Sequence, residues 1–377
     1  MEPLDSFISG FVEEPGFLNY ASFGPISEGV AAESDAWTGS VSRARFGSID
    51  ALLQQETRAR EAVGELLGFD AGNVVLQPNT SMGLMHALFG LTGPVLVSPA
   101  DFPSLPFAAV RAEQALGATG PIWLETEHGT VTPGQIRDQI TSTTAAVAVS
   151  LVDPRTGYLA DIEGIRQVIG DRLLIVDAIQ GAGVVDAPFE VADVVAGGGQ
   201  KWLRAGWGTG YLALSDRAVE QLTPVVSGFP GATGYDDEMV WDEVPLPIRG
   251  AGAFRVSNPD WIAAARLATA AEDVAEAGVA GISAQVAVQV SRIIDIADEF
   301  AVPVISPRNE TERAGIVVVE PPTEQLSALT ASLYNHGVST TTRQGRVRIA
   351  AHAGTTVETL EMLRAAFTSY ASTVRIF

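Results

Sequence analysis

The stretch ADVVAGGGQKWLRAGWGTG, residues 192–210, runs from an apolar strand-like segment through three consecutive glycines into the only lysine of the chain, Lys201. ADVVAGG (192–198) and GTGYLAL (208–214) predict two strands, and the glycines between them predict a permissive opening of the backbone. Just upstream, RLLIVD (172–177) is apolar throughout and closes on Asp177, which predicts a strand buried on both faces with an acid at its carboxyl end. Working back, NVVLQ (73–77), PVLVS (94–98), PIWLE (121–125) and AAVAVSLV (145–152) alternate with helical stretches such as ETRAREAVGELLG (56–68) and NTSMGLMHALFGL (79–91). Seven strands interleaved with helices predict an α/β architecture around a central, mostly parallel sheet.

Beyond that unit, residues 215–260 are rich in Pro, Gly and Asp and include SGFPGATGYDDE, which reads as a long functional loop with Tyr235, Trp241 and Arg249 as candidate specificity residues. Helical periodicity resumes at 261–278 and 282–300. AGIVVVE (314–320) and RVRIAA (346–351) then flank a helix near 323–336, and a final helix closes the chain. A chain of 377 residues exceeds one ordinary core, so two domains are expected. The expected division is an N-terminal segment (1–18) packing with the small domain, a large domain (19–258) and a small C-terminal α+β domain (259–377).

The formal charge of −22 repels nucleic acid and anionic lipid, and no basic stripe offers a local exception. Cysteine is absent, which excludes disulfides, thiolate metal sites and thiol nucleophiles. His86, His128, His336 and His352 are scattered without metal-ligand spacing, so no metal site is expected. The N-terminus lacks a basic, then apolar leader, and no stretch reads as a membrane span, so a cytoplasmic location is expected.

Of the 23 Lys and Arg residues, 22 are arginine. Lysine does what arginine cannot: it loses its proton and attacks a carbonyl as a neutral amine. Lys201 is therefore a nucleophile candidate, set against a chance survivor at the surface, and its apolar, glycine-rich neighbours favour the first reading. Asp177 sits where α/β folds bind ligands; it either caps the following segment or pairs with a cation such as a pyridinium nitrogen. Gln180, three residues on, is either an ordinary loop residue or a donor to a cofactor oxygen. In NTS, Asn79, Thr80 and Ser81 stand at a strand-to-helix junction suited to a phosphate.

The ordered set NTS, DFPS, VDPRTG, VDAIQ, GGGQKW, FRVSNP and VRI resembles the class V aminotransferase family of fold-type I pyridoxal-phosphate (PLP) enzymes, from FLNYASFGP (17–25) to VRIAAHAGTTVETLEML (347–363). The resemblance implies a large PLP-binding domain and a small domain, with Lys201 holding the cofactor as a Schiff base. It also implies Thr80, Ser81 and Gln200 at the phosphate, Phe102 stacked on the ring, Asp177 at the ring nitrogen and Gln180 at the phenolic oxygen. Arg348 would hold a substrate carboxylate, with Asn19 and Tyr20 at the substrate mouth. Asn258 would reach the phosphate of a neighbouring protomer, which implies a homodimer with a shared active site.

Chemistry on a small amino acid is then expected, as a transaminase, a β-carbon lyase (C–S or kynureninase-like) or an epimerase. A desulfurase that stores sulfur on a cysteine is disfavoured because the chain has none. A silent PLP-fold binding or regulatory protein is the competing class. A nicotinamide-binding reading fails for want of GxGxxG after the first strand.

Overall fold

The computed structural model describes residues 2–126, 129–234 and 242–374; His128, Tyr235 and Trp241 lie outside them. Seven strands form the large sheet: β1 (Val74–Gln77), β2 (Val95–Val97), β3 (Pro121–Trp123), β4 (Ala146–Ser150), β5 (Leu173–Asp177), β6 (Val194–Gly198) and β7 (Gly210–Leu214). Their order is β1-β7-β6-β5-β4-β2-β3, parallel from β6 through β3, with β7 antiparallel to both β6 and β1. The expected mostly parallel seven-stranded sheet is what forms.

The helices are α1 (Pro3–Ser9), α2 (Glu28–Arg43), α3 (Ser48–Leu67), α4 (Thr80–Gly90), α5 (Ser104–Leu116), α6 (Pro133–Gln139), α7 (Ile162–Ile169), α8 (Asp216–Gln221), α9 (Trp261–Ala277), α10 (Val279–Glu299), α11 (Leu326–Asn335) and α12 (Val357–Val374). Central strands lack polar alternation because both faces are covered. Leu174, Val176, Val147 and Val195 join a core with Val63 of α3, Ile165 of α7 and Leu267 of α9. Their strand neighbours Leu173, Ile175, Ala146 and Val194 face the other way, against Leu84 of α4, Leu105 of α5 and Ala218 of α8. Each fully buried branched side chain contributes roughly 1.5–3 kcal/mol, so these two layers fix the strand ends on which the site is built.

A second, antiparallel sheet is made of β8 (Ile316–Val319), β9 (Thr341–Arg343) and β10 (Arg346–Ala350) in the order β8-β10-β9. The N-terminal segment is stitched to it: Leu18 N donates to Ser339 O (3.1 Å) and Ala350 N to Leu18 O (2.8 Å). That brings residues 19–25 between the small sheet and the loop after β6, where Gly24 N donates to Gln200 O (2.9 Å). Helix α9 lies against α2 and α3. Contrary to the sequence reading, one segment, α10, is long and apolar enough to cross a membrane, but Ile282, Val286, Val290, Ile293 and Ile296 along it are buried in the core.

Candidate active site

Asp177 is the last residue of β5, beside Ser150 at the end of β4 and Ala196 of β6. It is 1% exposed. Its Oδ1 accepts from Ile179 N (3.0 Å), whereas Oδ2 is buried with no partner among the described residues. Burial drives this carboxyl well above its usual range, the charge of Asp101 adds to the rise, and Lys201 opposes it. An acid so placed calls for a cation against its free oxygen.

The backbone of Phe102 is held by its neighbour at the end of β4. Asp101 Oδ1 accepts from Ser150 Oγ (2.6 Å) and Phe102 N (2.6 Å), and Oδ2 accepts from Ser150 N (3.1 Å). The end of β4 thus fixes both Asp177 and the segment that carries Phe102. Lys201 Nζ stands 5.4 Å from the centre of the Phe102 ring. Burial lowers the lysine to about 8; Asp177 works against that shift, while Arg348 and Arg343 reinforce it. A sizeable neutral fraction of the amine is thereby available near physiological pH.

A cup forms where β6 opens toward α4. Asn79 caps α4, accepting from Met82 N (3.0 Å), and leaves the helix N-terminus facing the β6 loop. Thr80 Oγ1 is buried without a partner among the described residues, and Ser81 Oγ shares a hydrogen bond with Ser104 Oγ (2.7 Å) at the start of α5. Gly198 leaves room here: a Cβ on it would lie 2.6 Å from Gln200 Oε1 and 3.1 Å from Thr80 Oγ1. Thr80 and Gln200 therefore converge beside the start of α4, with Ser81 next to Thr80 on the helix, a position suited to a phosphate. Asn258 is exposed and borders a cavity of about 280 Å³ together with Gln77, Met82 and Gly210, beside the same helix start.

Arg348, on β10, reaches from the small sheet toward this centre. Its guanidinium donates to Pro154 O (3.2 Å) and Ser22 Oγ (2.9 Å), while Nε is buried and unpartnered. Ser22 Oγ bonds Thr341 Oγ1 (3.0 Å), which donates to Asn19 Oδ1 (2.8 Å), so Asn19 steadies the arginine through two hydroxyls. Arg348 is lowered to about 10 by burial and by the neighbouring Arg343. A cavity of about 630 Å³ is lined by Asp101, Phe102, Arg155, Thr341, Arg343 and Arg348.

Two expected site residues are tied into packing. Tyr20 is buried, donates to Glu13 Oε1 (2.5 Å) and stacks on Trp202 with centroids 6.2 Å apart. Gln180 Nε2 donates to Ala21 O (2.9 Å) and its Oε1 accepts from Trp202 Nε1 (2.7 Å). Arg249, from the long loop, borders a different cavity with Glu56, Arg60 and Arg255.

The structure adds residues that the sequence reading passed over. Tyr211 of β7 has a buried, unpartnered hydroxyl, raised first by burial and then by the charge of Asp177. Asp101 and Ser150 set the Phe102 segment, and Arg343 joins Arg348 at the cavity. The signal for Arg343 was available: TTRQGRVR (341–348) alternates about a Gln-Gly pair, the mark of a hairpin.

PLP fits this arrangement. The unpartnered Asp177 oxygen suits a protonated ring nitrogen, the cup at Thr80 suits a phosphate, and Lys201 supplies a buried amine within reach of the charge of Asp177. A probable cysteine desulfurase from Aeropyrum pernix is 28% identical over 284 residues, covering 69% of this chain and 67% of that protein. A second, from Methanothermobacter thermautotrophicus, is 25% identical over 249 residues, covering 62% and 60%. Among solved structures, an apo cysteine desulfurase from Thermococcus onnurineus shares the fold with a TM-score of 0.84 at 19% identity, covering 96% of this chain and 95% of that one. The cystine C–S lyase C-DES, complexed with cysteine persulfide, does so with a TM-score of 0.84 at 17% identity, covering 94% and 97%. Residues 25–376 match the family model for class V aminotransferases, and the chain belongs to that family of PLP-dependent enzymes.

Proposed function

We propose that this enzyme cleaves a bond at the β-carbon of a small amino acid, with Lys201 as the catalytic base and Arg348 as the carboxylate clamp. The observation that carries the reading is the pairing of a buried, readily neutralised lysine with an acid whose second oxygen is buried and unanswered. Bound PLP supplies the electron sink that makes a proton on Cα removable. Asp177 would hold the ring nitrogen protonated, Thr80, Ser81 and Gln200 the phosphate, and Phe102 a face of the ring. Arg348, already fixed by Ser22 and Pro154, would orient the α-carboxylate so that the Cα proton faces Lys201. Lys201 would remove that proton from Cα and pass it to the departing β-substituent, which leaves with the electron pair of its bond to Cβ.

One fact favours a lyase without a protein-bound sulfur carrier: the relatives named above are desulfurases and a C–S lyase, yet this chain has no cysteine. A sulfur leaving group would then depart to solvent. Asn258, exposed near the start of α4, is the residue we assign to contact with a second protomer, in a cytoplasmic homodimer.

The test is incubation of the holoenzyme with single amino acids in the absence of any keto acid. A lyase turns over continuously and releases ammonia or the cleaved β-substituent. A transaminase stops after one equivalent and resumes when a keto acid is added, which would overturn the lyase assignment.

A further inference from the structure

β9 and β10 pair so that Arg343 stands opposite Arg346 and Thr341 opposite Arg348. Opposed residues, and residues two apart on one strand, share a face of the sheet. One face of this hairpin therefore presents Arg343, Arg346 and Arg348 together. Like charges placed opposite each other are destabilising. Arg346 is relieved by Glu320 (3.1 Å), and Arg348 is held by neutral oxygens of Pro154 and Ser22. Arg343 forms no hydrogen bond or ion pair among the described residues, although the chain as a whole carries a charge of −22. The turn that aims it is fixed by Gln344 and Gly345, both at positive φ (50° and 82°), as a two-residue hairpin requires.

Arg343 lines the same cavity of about 630 Å³ as Phe102 and Arg348, and its charge reaches both Lys201 and Arg348. An α-carboxylate needs one of these arginines. We infer that the second, Arg343, binds an anionic group on the substrate side chain, so that the preferred substrate is an amino acid with a β- or γ-placed carboxylate or sulfinate. This rests on the proposed amino-acid lyase reading and narrows it. Arg155 does not fill the same role, because Asp153 already holds it (2.9 Å).

The holoenzyme is titrated with L-aspartate, L-cysteine sulfinate, L-glutamate and L-alanine, with the visible absorption band of the bound cofactor as readout, giving a dissociation constant independent of turnover. At least one of the three anionic amino acids should bind about tenfold to hundredfold tighter than L-alanine, as a charge-assisted contact provides. In Arg343→Gln that ratio should fall toward one, and Arg343→Lys should restore part of it. Equal affinities for all four in the parent protein, or an unchanged ratio in Arg343→Gln, overturn the inference while leaving the amino-acid reading intact. Should no amino acid move the band, the reading beneath it fails as well.

Discussion

Lys201 and Asp177 follow and end adjacent parallel strands and feel each other's charge, yet no ion pair or hydrogen bond joins them. Asp177 keeps one oxygen for Ile179 N and leaves the other buried and unsatisfied. A simple internal salt bridge would have closed that gap. The separation leaves both groups committed to something that enters between them.

Reconstitution should report on the amine directly. Because burial lowers Lys201 to about 8, the rate at which the apoprotein takes up PLP should rise with pH and level off above about 8, well below an ordinary lysine. The sign for a variant follows from the same balance: Asp177 favours the charged amine, so Asp177→Asn should move the inflection to lower pH. An unmoved or raised inflection, measured by stopped-flow absorbance, would contradict the electrostatic coupling.

Replacing Lys201 by arginine keeps a positive charge and removes a transferable proton. Turnover should fall at least ~10²–10⁴-fold, the range expected for loss of a positioned acid–base group, while the fold is retained by circular dichroism. Residual activity within about tenfold of the parent would exclude Lys201 as the base.

Arg348→Ala should weaken amino-acid binding by roughly 1.5–3 kcal/mol, about tenfold to hundredfold, as the loss of a charge-assisted contact requires. Ser22→Ala should give a smaller effect of the same sign, because Ser22 holds the guanidinium at 2.9 Å without touching substrate. Spectral titration of the two variants checks the order; a larger effect from Ser22 would reverse the assignment.

Gln180 ties the N-terminal segment to the loop after Lys201, through Ala21 O and Trp202 Nε1. Gln180→Ala should therefore lower stability by about 1–3 kcal/mol, since it strands two buried polar groups. Denaturant titration reads the loss. A variant as stable as the parent, with weakened cofactor binding alone, would instead return Gln180 to the cofactor.

Much of this was legible in residue order. Strands such as LLIVD and VVAGG announce themselves because both faces are buried and, Asp177 apart, no position is polar, and a lone lysine after three glycines marks itself by contrast. The three-residue β9 carries only a faint pattern by itself, and Arg343 and Thr341 stand out only when it is read across the Gln-Gly turn into β10. Tyr20 reads equally as a mouth residue or as N-terminal packing, and Gln180 as a cofactor donor or an ordinary loop residue, because a sequence shows polarity without direction. In the fold their polar atoms meet Glu13, Ala21 and Trp202. The anchoring of Phe102 through Asp101 and Ser150 joins residues 49 apart, a distance no local pattern bridges.

The most direct measurement uses the single lysine. The holoprotein is reduced with borohydride, digested and mapped by mass spectrometry. A pyridoxyl group should be found on the peptide containing Lys201 and be absent after Lys201→Arg. A cofactor-saturated protein whose Lys201 peptide emerges unmodified would contradict the account at its centre.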